Sequence, residues 1–220
     1  MMKRCSIVRA ADPPPLSDVV DGTPWTTASW VELDEFPWGK TGRSPSTTVR
    51  PLYDDEALYL QYVVEDGHSY AQATKLNGPV WEDSCVELFA TVAPRRRPHY
   101  FNFEVNCVGT FRLGFGPDRE HRDLIDAAPA DAIRVETSVE GPTKAPSPDD
   151  DSWWVAVALP FEMLATFTGA SLPPDKGTVW RGNFHRLAGQ TDPEYAAWNS
   201  VDAPDPDFHR PADFGRLVFE

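Results

Sequence analysis

VWEDSCVELFATVAPRRRPHYFNFEVNCVG, residues 80–109, alternates with period two on both sides of a Pro/Arg-rich turn. The alternation predicts two strands, about Ser84–Thr91 and His99–Val108, paired as a hairpin. On the second strand Phe101, Phe103, Val105 and Cys107 share one face, and Tyr100, Asn102, Glu104 and Asn106 share the other. The first is a core face, as expected of a half-buried antiparallel strand. The second is a row of hydrogen-bonding groups where a solvated face would carry Thr, Lys and Ser. On the first strand Val86, Leu88 and Ala90 lie opposite Cys85, Glu87 and Phe89. Pairing then sets Glu87 beside Asn102, Glu104 or Asn106, with Trp81 at the rim. One aromatic plate beside carboxylates and carboxamides suits a saccharide, whose C–H faces pack on the ring. Its hydroxyls donate to carboxylates and accept from amides. Taken singly, each residue reads as a solvated strand position or a core plug. The row Asn102, Glu104 and Asn106 read together favours a binding face.

A chain of 220 residues suffices for one well-cored domain, and 41% hydrophobic residues exclude wholesale disorder. No apolar run approaches the roughly 20 residues of a membrane-spanning helix. The start, MMKRCSIVRAADPPP, has no apolar segment of the signal-peptide kind. As it stands the chain reads as cytoplasmic, and as secreted if the start is truncated, so localisation stays open. A formal charge of −14 argues against nucleic acid and against anionic membranes as partners. The three cysteines, Cys5, Cys85 and Cys107, show no metal-ligand spacing. Cys85 and Cys107 fall on opposite faces, which argues against a bridge.

Residues 1–17 read as an extended N-terminal arm, on the strength of Pro13-Pro14-Pro15, and 18–220 as a single domain. Strands are expected at about 30–36, 47–52, 57–65, 110–115, 133–139, 153–159, 179–187 and 215–220. One short helical turn is expected at 160–164, with proline at its start. Residues 37–46 form a loop carrying Trp38, which reads as a lid over the core more than as a ligand plate. Residues 141–151, GPTKAPSPDDD, read as a mobile hairpin tip. On the strand at 179–187, Arg181, Asn183 and His185 share a polar face. About nine strands, one short helix and 22 prolines in connections predict an all-β, two-sheet antiparallel sandwich, jelly-roll-like.

Several runs resemble family 9 carbohydrate-binding modules and their free-standing relatives. They are Leu58–Val64 with Asp66, Val80–Phe89, Asn102–Asn106, Trp180–Phe184, and Phe208-His209-Arg210-Pro211 with Phe214-Gly215. The similarity covers roughly residues 18–220. It implies a β-sandwich that binds mono- or oligosaccharides without cleaving them, in association with glycoside hydrolases and polysaccharide catabolism. It implies no required cofactor beyond the structural calcium that the xylanase-linked branch carries. By position, Trp81 matches one sandwiching aromatic and Glu87 a carboxylate that binds sugar hydroxyls. Glu104 stands where that branch has arginine, and Phe208 where it has tryptophan. Arg210 suits either adjacent sugar hydroxyls or a salt bridge to Asp205, Asp207 or Asp213. Trp198, before a Pro/Asp loop, suits either the cleft or the core. The candidate ligand-binding set is therefore Trp81, Glu87, Asn102, Glu104, Asn106, Asn183, Trp198, Phe208 and Arg210, with no catalytic residue.

Two other functions compete. Glu87 and Glu104 could serve as the two carboxyls of a glycoside hydrolase, which must stand about 5–5.5 Å or 6.5–9.5 Å apart. The acidic turns Asp54-Asp55-Glu56, Asp149-Asp150-Asp151 and Asp205–Asp207 could hold calcium in an interaction domain, although none has a diagnostic spacing. No Gly-x-Ser-x-Gly elbow or phosphate loop is present. Five scattered histidines give no metal pattern, with His185 and His209 closest to the expected cleft.

Overall fold

The computed structural model describes residues 2–39, 45–93, 99–145, 147, 150–189 and 194–220. Its strands are β1 (Arg4–Arg9), β2 (Val31–Glu32), β3 (Thr47–Tyr53), β4 (Ala57–Glu65), β5 (Ser84–Thr91), β6 (Tyr100–Asn106) and β7 (Phe111–Gly116). They continue as β8 (Asp123–Leu124), β9 (Arg134–Thr137), β10 (Ser152–Pro160), β11 (Val179–Ala188), β12 (Tyr195–Ala197) and β13 (Gly215–Phe219). The helices are α1 (Ala127–Ala130) and α2 (Phe161–Thr168). The Pro/Arg-rich turn at 94–98 lies outside the described residues, as does part of the 141–151 tip.

The hairpin forms with the predicted faces. β5 and β6 pair antiparallel, with Glu87 directly opposite Glu104 and Phe89 opposite Asn102. Val86, Leu88, Ala90, Phe101, Phe103, Val105 and Cys107 enter one large core cluster, whereas Phe89 and Tyr100 enter a second on the other side. The three cysteines are free and buried.

The molecule is predominantly β, but its strands follow one path, β8-β7-β6-β5-β11-β13-β1-β3-β4-β10-β9, with β12 on β11 and β2 on β3. Every pairing among these strands is antiparallel except the two made by β1, so the expectation of a wholly antiparallel arrangement is corrected there. β1 pairs in parallel with β13 on one side and with β3 on the other, which makes the sheet continuous. Residues 4–9, inside the expected arm, thus occupy the middle of the sheet. Only Cys5 and Ile7 are buried there, so the strand signal is short and is masked by basic neighbours and the proline run. The proline run itself is without regular structure, and Pro15 accepts from the Trp25 indole at 2.8 Å. Trp25 in turn packs with Leu52, Tyr59 and Ala158 on the outer side of β3, β4 and β10.

The sheet curls until its two halves face each other across the core. The Tyr62 hydroxyl on β4 donates to the Glu87 carbonyl on β5 at 3.0 Å, and its ring meets Phe184 of β11 edge-on at 6.3 Å. The expected turn at 160–164 is longer, running through α2 to a left-handed cap at Gly169. Phe161, Leu164 and Thr168 bury one helical stripe, which holds the second turn in place.

β7 positions the site. Its sequence FRLGFG puts Phe111, Leu113 and Phe115 towards the core and Arg112, Gly114 and Gly116 on the face shared with Glu104 and Asn102. A Cβ on Gly116 would sit 2.2 Å from the His121 carbonyl oxygen, and one on Gly114 would sit 3.0 Å from Arg122 Cδ. The two glycines let residues 117–122 fold flat over the sheet. Gly116→Ala is expected to displace that segment and to destabilise the fold by about 1–3 kcal/mol in urea unfolding.

Candidate saccharide-binding site

Four side chains make one rung across the sheet, in the order Arg112, Glu104, Glu87 and His185. Taken singly Glu87 and Glu104 suited solvated strand positions, yet Glu87, Glu104 and His185 are all buried. Three segments cover it. Residues 117–122 lie over β6 and β7. Residues 206–209 lie over β5 and β11. Trp38 closes the third side, its indole donating to the Ala203 carbonyl at 2.9 Å and its ring 5.2 Å from Phe208.

Between sheet and cover remains a cavity of about 370 Å³, within the size range of small-molecule sites. Glu87, Glu104, Phe89 and Leu187 contribute from the strands. Arg119 and Arg122 contribute from one loop, and Pro206, Asp207, Phe208 and His209 from another. Trp81, Trp38 and Tyr195 complete the lining. Trp81 is 41% exposed and is braced by Arg112, whose guanidinium lies 5.0 Å from the ring centre. An adjoining hollow of about 240 Å³ shares Trp81, Leu187 and Tyr195.

The electrostatics follow from burial. Desolvation pushes Glu87 up to about 8, only partly offset by Arg122 and Arg119. Burial raises Glu104 likewise, with Glu87 beside it adding to the effect. Asn102 Nδ2 donates to Glu104 Oε1 at 2.6 Å, which orients that carboxyl. Burial takes His185 down to about 3. Its Nδ1 approaches Glu87 Oε2 at 3.2 Å, an ion-pair distance. The contact lacks hydrogen-bond geometry, and burial opposes the charged form of both groups. Phe208 stacks on the other side of that imidazole at 4.0 Å and 11°. His209 holds the Tyr100 hydroxyl at 2.7 Å through Nδ1.

A family model, carbohydrate-binding family 9, matches residues 23–219. The chain belongs to this family. A candidate carbohydrate-binding protein from Bacteroides uniformis ATCC 8492 superposes with a TM-score of 0.86 at 26% identity, covering 100% of both chains. A family 9 module from Caldicellulosiruptor kristjanssonii in complex with cellotriose gives 0.66 at 15% identity, covering 99% of this chain and 94% of that one. The same organism's module in complex with glucose gives 0.67 at 16%, covering 99% and 96%. At those identities the two modules speak for the fold. A comparison with curated protein sequences gives no match.

Within this family 9 fold the cavity gathers Trp81, Glu87, Glu104 and Phe208 from the expected set, with Asn102 bonded to Glu104 from the same face of β6. The other four lie elsewhere. Asn106 donates to Asp83 Oδ2 and the Ala73 carbonyl, and accepts from Thr110 N, so it ties down residues 73–83. Asn183 clasps Asn199 through both backbone groups, at 2.9 and 2.8 Å. Trp198 packs in the core beside Phe184. Arg210 takes the salt-bridge alternative, with Nε 2.8 Å from Asp213 Oδ2. A face pattern locates a carboxamide but not the loop that returns to engage it, which is why these positions looked available. Asn183→Ala is expected to cost about 1–3 kcal/mol of stability, because it strands two buried backbone groups. Chemical denaturation measures that cost.

Arg119, Arg122, Phe89, Tyr195 and His209 were absent from the expected set. The paired glycines of β7 were the one available signal, since two glycines on a polar face announce a close backbone approach. Among the described residues no three His, Cys, Asp or Glu converge on a metal position. Asp54 accepts from its own turn and from Tyr59, Asp55 pairs with Arg9, and Asp207 with Arg119. Asp149 lies outside the described residues.

Proposed function

We propose that the chain binds mono- or oligosaccharides in this cavity without cleaving them. The observation that carries the reading is the half-exposed Trp81 plate beside the Glu87–Glu104 floor. A sugar's apolar face packs on the indole while its hydroxyls reach carboxyl groups already fixed by the sheet. Trp38 and Phe208 bound the opposite side. Phe208 has one face committed to His185, so it serves as a wall more than as a second open plate. Membership of family 9, and modules of that family solved with glucose and with cellotriose, support the choice of ligand class. The adjoining hollow beyond Trp81 gives room for a second ring. Association with glycoside hydrolases in polysaccharide catabolism belongs to the same proposal.

Hydrolysis is not part of it. Membership of a carbohydrate-binding family supports binding over cleavage. Isothermal titration against glucose, cellobiose and xylobiose tests the reading, with product analysis of the same mixtures. Saturable binding of at least one sugar with no bond cleavage is the expected result. No saturable heat with any saccharide refutes binding, and release of monosaccharide from a disaccharide refutes the non-catalytic reading.

A further inference from the structure

We infer that the saccharide preferred by this cavity carries a carboxylate, as a uronic acid does, and that Arg122 recognises it; this rests on the saccharide-binding reading above. The two arginines of the cavity differ in their partners. Arg119 donates from Nη2 to Asp207 Oδ1 at 2.9 Å, so its charge is answered inside the protein. The Arg122 side chain is only 10% exposed. Its Nη1 lies 3.3 Å from the neutral His209 Nε2. Glu104 Oε1, the one carboxylate oxygen within 4 Å of it among the described residues, is 3.9 Å away, beyond hydrogen-bond reach, and is engaged by Asn102.

Glu104 is a poor counter-charge for a second reason. It faces Glu87 across the ladder, and two buried neighbouring carboxyls resist joint ionisation. A buried guanidinium is expensive unless it is paired and hydrogen-bonded. Its planar fork matches the two coplanar oxygens of a carboxylate. The placement is built into the fold, because Gly114 clears the space over which the Arg122 stem lies, and Gly116 lets its backbone approach. A uronate ring packed on Trp81 would present its carboxylate to Arg122 and its hydroxyls to the floor. The formal charge of −14 slows the approach of an anion, so the preference resides in slow release.

Titration of the wild-type protein with glucose, glucuronate and glucose 6-phosphate at one ionic strength tests this, beside Arg122→Gln. Glucuronate should bind on the order of tenfold or more tighter than glucose, and above glucose 6-phosphate, whose tetrahedral group fits the fork less well. Arg122→Gln should bring the glucuronate-to-glucose ratio near one. Equal or weaker binding of glucuronate in wild type overturns the inference and leaves the saccharide reading standing. Tighter binding of the phosphate overturns the carboxylate assignment. Binding of none of the three, together with silence in the neutral disaccharide panel, removes both. The wild-type ratio decides the matter even if the variant does not fold.

Discussion

Replacing Glu87 and Glu104 by glutamine together should stabilise the protein at pH 9 by on the order of 3–5 kcal/mol and change little at pH 5. Both carboxyls are raised in the folded state, and burial is the leading cause. A group raised in this way binds its proton more tightly folded than unfolded. Its stabilising contribution is full below the ordinary carboxylate range. It is lost as pH rises from there through the folded value, about 8 for Glu87. At pH 9 the wild type is driven to ionise buried carboxyls that face each other, whereas the glutamine pair stays neutral. His185 works in the other direction. Burial lowers it to about 3, so its contribution is present above the ordinary histidine range and is lost as pH falls through that value. Wild type should therefore be most stable in mildly acidic solution, and the double variant should shift its optimum towards alkaline pH. Urea unfolding at pH 5, 7 and 9 measures both effects. A double variant no more stable than wild type at pH 9 would mean that the floor is wetter than its burial suggests.

Trp81→Ala should weaken saccharide binding on the order of ten- to a hundredfold, equivalent to about 1.5–3 kcal/mol. The ring supplies the apolar plate, and alanine removes that plate while leaving the floor. Its exposure and its place on a short turn at Val80–Glu82 make the change mild for the fold. The main structural loss is the stacking of Arg112, which keeps its bond to the Asn77 carbonyl. Stability should fall by less than about 1 kcal/mol, as at other exposed positions. Titration beside a thermal melt separates the two effects. Unaltered affinity in a folded Trp81→Ala protein would move the ligand off this plate.

The hairpin was legible because both of its signals are local. Period-two alternation set the faces, and hairpin pairing set the neighbours, so Glu87 met Glu104 as the pattern allowed. The core face followed for the same reason. β1 was not legible, since its partners are β13 and β3, and Arg4 pairs with Arg216 some two hundred residues away. Nothing in the spacing of Cys5 and Ile7 announces such a contact. The site was half legible. Trp81, Glu87 and Glu104 stand on or beside the hairpin itself. Arg122 comes from a loop whose path is decided by Gly114 and Gly116, which signal a close approach without naming the segment that makes it. Asn106 and Asn183 show the opposite failure, because a carboxamide suited to a hydroxyl is suited equally to a backbone group.

The most direct test of the account follows the indole N–H signals of the eight tryptophans by nuclear magnetic resonance during titration with a saccharide that binds, each signal assigned by substitution. Saturable shifts are expected at Trp81 and Trp38, which line the cavity, and still signals from Trp25, Trp153 and Trp180, which are buried away from it. Shifts confined to tryptophans outside the cavity, with Trp81 unmoved at saturation, would contradict it.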